Sequence, residues 1–195
     1  MKRSRFLGIF GVLSPAVGFL SIFTAISLHD WFSWKANALS DLGAVGTSNA
    51  WVFNWGMMVS GVFGFLFALA LFDMRKGRTF KAGAAAFTTG LAFLVLVGVF
   101  PLGKDPHFAV SVAFFAISTI GIAAMGLDEV LNGISIGYLA LALIIAGGPL
   151  VYYTLQIYDG VAIPEMVAVI YFSVFSVSHG IRIIKKPEKP PFEEG

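Results

Sequence analysis

Asp41, His107 and Glu165 are the side chains best suited by type to acid–base work, and each sits at the edge of an apolar run. A histidine in the first turn of a helix can act as base, acid or metal ligand. Carboxylates beside it would orient it or help to hold a metal, and Ser40, next to Asp41, would supply a nucleophile or an oxyanion donor. Brought together, these four would make a catalytic set for hydrolysis of a lipid. Asn37, Asn54 and Asp105 are the polar residues placed to line the same site and bind a ligand. The alternative for each acid is plain structure, because carboxylates favour helix starts and turns in any case.

The local sequence around each candidate sets its expected role. WFSWKANALSDLG, residues 31–43, has apolar residues at 31, 32, 34, 39 and 42, which fits a short helix lying on the membrane interface with Gly43 as its C-terminal cap. Asn37, Ser40 and Asp41 would then share one face. Asn54 needs a partner for its amide near the start of an apolar span, and a tie to this first loop would provide one. In VFPLGKDPHF, residues 99–108, Pro101 ends a span, Asp105 is placed as an N-cap, and Pro106 stands at the first helical position before His107. In VAIPEMVAV, Pro164 opens the last span and Glu165 follows. His179 lies 14 residues beyond Glu165, about 21 Å along a helix. It belongs near the opposite end, beside Arg182, outside the Asp41–His107–Glu165 set.

The elements that must position these residues are membrane helices. The 195 residues are 57% hydrophobic and 12% charged, against about a quarter charged in soluble domains. A bilayer core takes about 20 apolar residues per helix. Six runs meet that length: Phe6–Leu28, Trp51–Phe72, Lys81–Phe100, His107–Leu127, Ile134–Tyr153 and Ala162–Ile184. The fold class is all-α, a six-helix transmembrane domain over residues 1–186, followed by a charged, proline-rich tail at 187–195 expected to be disordered. The first run is longer than a signal-peptide core and is read as a retained helix. Of the 13 Lys and Arg residues, only Lys35 and Lys104 fall on the far side from the N-terminus. Both termini are therefore expected in the cytoplasm, in a multi-pass protein of the cell membrane. Trp31, Trp34, Trp51 and Trp55 cluster around the first outer loop as an interfacial belt would. Gly56, Ser60, Gly64 and Ala68, and likewise Ala82, Ala86 and Gly90, form small-residue ridges suited to packing inside the bundle or to a homo-oligomer.

NALSDLG, then FNWG, then VFP followed by His107, then the Pro164–Glu165 pair resemble the prokaryotic membrane family labelled domain of unknown function 998. The resemblance covers nearly the whole chain and implies six helices without implying an activity. It carries over Ser40, Asp41, Gly43, Asn54, Pro101, His107 and Glu165. The family often has an acid soon after its Phe–Pro pair; here Gly103 and Lys104 hold that region and Asp105 comes later. The family is similar, more distantly, to the Frag/DRAM-like group, some of whose members are tied to lipid-anchor remodelling. The Ser, Asp and His set also resembles that of ceramidase-like hydrolases, which need three clustered histidines for zinc. Here His29 and His107 map to one side and His179 to the other, so no metal is expected.

These readings rank a lipid- or small-ligand-binding protein first, with membrane lipids as partners. A membrane-embedded hydrolase using Asp41, His107 and Glu165 is the first alternative, and a small transporter the second. Mid-span ionisable residues are scarce, which counts against transport. Cysteine is absent, and no Walker, dinucleotide or haem signature appears, so no cofactor is expected. The basic face follows from topology, and no nucleic-acid partner is expected.

Overall fold

The computed structural model describes residues 2–185, and the tail expected at 187–195 lies outside them. The described residues are all-helical: α1 Lys2–Ser27, a 3₁₀ turn Leu39–Gly43, α2 Ala50–Met74, α3 Arg78–Val99, α4 His107–Leu131, α5 Ile136–Ile157 and α6 Ala162–Lys185. All six α-helices are long and apolar enough to cross a membrane, and the chain is a multi-pass membrane protein.

The helices run up and down in chain order, each packed on the one before it, and α6 returns to pack on α1, so the bundle closes as a ring. One end carries the long 28–49 loop and the 100–106 and 158–161 connections, and is called the loop end here. The other carries the start of α1 and the end of α6, and is called the terminus end.

Apolar surface alone gives helices little reason to associate in lipid; close packing and interhelical hydrogen bonds do that work. The small-residue ridge on α2 serves this purpose within the bundle, since Gly56, Ser60 and Gly64 are buried against α1 and α3. Ser14 Oγ donates to Ser60 O and Ser60 Oγ donates to Ser14 O, both at 2.9 Å, a reciprocal clasp between α1 and α2. On α3 the close contact with α4 is made by Gly83 and Gly90, while Ala82 is exposed. Phe67, Phe80, Phe87 and Phe175 are fully enclosed, with Phe87 edge-on to Phe175 at 5.5 Å, the preferred geometry for paired rings. α5 packs mainly on α4 and α6 and turns much of its apolar surface outward.

Two local expectations are corrected. The interfacial helix expected across 31–43 shrinks to the 3₁₀ turn, preceded by irregular turns. Two of its carbonyls are claimed from outside: Gly160 N donates to Lys35 O and Ala162 N to Asn37 O, both at 2.8 Å, while Ser33 O and Ala38 O accept within the stretch, so its turns stay short and do not join into one helix. Asp105 does not cap α4. The helix begins at His107 after Pro106, the Asp105–Pro106 peptide is cis, Asp105 is exposed, and no side chain caps the helix.

Candidate functional site: an acid pair at the loop end above a serine-lined interior

The first loop is pinned at both its ends. His29 is buried, with Nδ1 at 2.6 Å from Ala25 O and Nε2 at 2.6 Å from Ser48 O. At the far side, Asn54 Nδ2 donates to Gly43 O at 2.9 Å, the tie between the second span and the first loop expected from its position. Gly43 ends the 3₁₀ turn, but its backbone is not left-handed. A Cβ there would run into the side chains of Asn54 and Phe53. Glycine is required for close approach rather than as a left-handed cap, which corrects the capping role expected of it.

Between these ties the two acids close one turn. Asp41 Oδ2 accepts from Ala38 N at 2.9 Å and from Asn37 Nδ2 at 3.0 Å. Glu165 Oε2, arriving from α6, accepts from Leu39 N at 2.7 Å. The carboxylates therefore cap consecutive amides and stand side by side, each with its second oxygen uncommitted. Asn37 Oδ1 accepts from Ser33 N at 2.8 Å, so Asn37 links the acid pair to the turn before it. Ser40 is buried in the 3₁₀ turn and adds no hydrogen bond to the network.

His107 stands apart from this pair. Its buried ring places Nδ1 at 2.6 Å from Phe100 O and Nε2 at 3.4 Å from Ser111 Oγ. The carbonyl demands a proton on Nδ1, leaving Nε2 to accept from the serine hydroxyl. Of the seven candidate residues, the structure bonds Asn37 to Asp41 directly, brings Glu165 to the same turn through the Leu39 amide, and ties Asn54 to it through Gly43. His107 is tied to the α3–α4 connection, and Asp105 is exposed in that same connection. Among the described residues no three His, Asp or Glu side chains converge as a metal site would require.

Beneath the acid pair lies a cavity of ≈ 60 Å³ bounded by α1, α2, α3, α4 and α6. Ser14, Ser60, Ser173 and Ser176 are its polar lining, and Phe87, Phe114, Phe172, Leu91 and Met57 are prominent in its apolar walls. From α6 it is lined by Val169, Phe172, Ser173 and Ser176. Glu165 precedes Val169 by four positions and so shares this face of the helix. The same stripe runs on past the cavity. His179, three residues beyond Ser176, meets Glu129 Oε2 through Nε2 at 3.0 Å, and Glu129 Oε1 accepts from Arg182 Nη1 at 2.9 Å.

Sequence reasoning missed both interior features. Ser173, Ser176 and His179 at three-residue intervals were the available signal for one polar face. The adjacent acids Asp128 and Glu129 ending an apolar run were the signal for the other.

No curated protein matches the chain, and no solved structure does. The match that is found spans residues 12–182, from within α1 to near the end of α6, and it takes in the first loop, the acid pair, the serine-lined cavity and the His179 contact. On that match the chain belongs to the family described as Protein of unknown function (DUF998).

Proposed function

We propose that the protein binds a membrane lipid, or a small amphiphile like one, inside the bundle. The polar part would be received by the free oxygens of Asp41 and Glu165 with Asn37, and the apolar part would enter the central cavity. The observation that carries this reading is the α6 stripe. It places Glu165 about 6 Å along the helix from Val169, at the mouth of the cavity lining, and about 16 Å from Ser176. By volume, ≈ 60 Å³ holds a handful of water-sized groups, which suits the end of an acyl chain and is too small for a headgroup. By the positive-inside rule, the excess of Lys and Arg at the terminus end would put the loop end on the outer face of a cell membrane, and the headgroup would then come from the outer leaflet.

A hydrolase built on Asp41, His107 and Glu165 would have the acids orient the imidazole, which takes a hydrogen bond between them. His107 is held on Phe100 O and Ser111 instead, so binding is the reading we favour over catalysis. Transport is the second reading, supported by the continuation of the polar stripe to His179 and Glu129; solute flux into proteoliposomes separates it from static binding.

Native mass spectrometry of the purified protein tests the binding reading. The wild type is expected to retain one lipid. Ser173→Phe, which fills the cavity, should lose it, and Asp41→Asn should weaken it about tenfold. Equal lipid retention by all three proteins would reject the proposal.

A further inference from the structure

Glu129 and His179 are fully buried, and the acid pair at the loop end makes no use of them. Ionisable groups inside membrane helices are costly, and their hydrogen bonding says what they are kept for. His179 Nε2 is 3.0 Å from Glu129 Oε2, and its Nδ1 is 3.0 Å from Phe175 O. Both partners are acceptors when the carboxyl is ionised, so the ring satisfies the two of them only with a proton on each nitrogen.

A third group changes the meaning of that arrangement. Ser178 Oγ lies 3.4 Å from His179 Nδ1 and 3.0 Å from the same Phe175 O. A hydroxyl hydrogen rotates to suit its neighbours. With the ring charged, Ser178 donates to the carbonyl. With the Nδ1 proton gone, the hydroxyl turns and donates to Nδ1, while Nε2–H still donates to Glu129. The proton released from Nδ1 passes to water at the terminus end beside half-buried Ser178. Both states are satisfied without moving a helix.

The surrounding charges are already engaged. Glu129 Oε1 accepts from Arg182, whose side chain is 40% exposed. Asp128, next to Glu129, is turned to Arg75 Nε at 2.8 Å. From the other packed elements come Phe87 of α3 through Phe175, Gly137 of α5 against Glu129, and Gly8 and Gly11 of α1 against Gly180, with Arg5 as the α1 charge one turn before Gly8. On α2, Phe67 lies at Gly11.

We propose that His179, held between Glu129 and the Ser178–Phe175 pair, is a reversible proton-binding site of the bundle. The site requires no occupant in the cavity, so it stands independently of lipid binding. Its place in the molecule still links it to the interior: the Phe175 ring packs tilted against the imidazole at 4.1 Å, and Ser176, one turn before His179, lines the cavity.

Nitrogen-15 NMR of histidine-labelled protein in nanodiscs, between about pH 5 and 8, reads the protonation state of each ring directly. His29 and His107 are separated from His179 by single substitutions. The His179 signal is expected to pass from imidazolium to the Nε2–H tautomer. Ser178→Ala removes the donor that serves only the neutral ring, and Glu129→Gln removes the carboxylate that faces Nε2, so each variant should change the proportion of the two ring forms seen at a given pH. A ring that stays imidazolium throughout, or keeps one neutral tautomer throughout, overturns the proposal. So does a titration that Ser178→Ala leaves in place.

Discussion

Glu165 commits one carboxylate oxygen to the Leu39 amide, a contact across 126 residues of sequence. That bond makes a specific demand on the side chain: an acceptor at that reach, charged or not. Glu165→Gln keeps an acceptor there and Glu165→Ala removes it. Hydrogen exchange of the Leu39 amide should therefore rise at least tenfold in the alanine variant and stay near wild type in the glutamine variant. If alanine leaves Leu39 protected, the contact is incidental. The acids at 41 and 165 were legible as candidates because ionisable groups are few at the edges of lipid-soluble runs, although a turn or a helix start welcomes a carboxylate in any case. Their partners were not legible. Which amide each carboxylate caps depends on how α6 meets the first loop, and nothing local encodes that meeting. The same limit governs His107, whose anchor on Phe100 O depends on the path of the 100–106 connection.

At the level of elements, the Ser14–Ser60 clasp isolates what holds two membrane helices together. Each hydroxyl donates to the other residue's backbone carbonyl. Removing one leaves the second bond in place, so Ser14→Ala and Ser60→Ala should each destabilise modestly. A double-mutant cycle unfolded in bicelles should give a coupling of about 0.6 kcal/mol and no more than about 1.7, the range for interhelical polar pairs in membranes. A coupling indistinguishable from zero would mean the two bonds act independently. The six spans themselves were readable from hydropathy, with ends within a few residues, because length and apolarity are local properties. The terminus end of α4 was not. The helix runs to Leu131 rather than stopping with the apolar run at Leu127, because Asp128 and Glu129 find cations at Arg75 and Arg182. The 31–43 stretch erred in the opposite direction, since its backbone is held by a helix more than a hundred residues away.

For the molecule as a whole, the ring has two chemically different ends. Among the described residues, Lys35 and Lys104 are the only Lys or Arg at the loop end, and the rest lie toward the terminus end, which predicts the side of the membrane each end faces. The chain has no cysteine, so single cysteines report without background. In intact cells a membrane-impermeant maleimide should label Lys104→Cys, while Lys76→Cys should react only after permeabilisation; the reverse pattern would invert the orientation and move the proposed lipid site to the inner leaflet. The Gly160–Lys35 and Ala162–Asn37 backbone bonds also carry a consequence for biosynthesis. The segment that fixes the first extramembrane loop is made more than a hundred residues after the loop itself. Until the sixth helix arrives, the carbonyls of Lys35 and Asn37 must be satisfied by water. The acid pair therefore cannot assemble before that helix is in place.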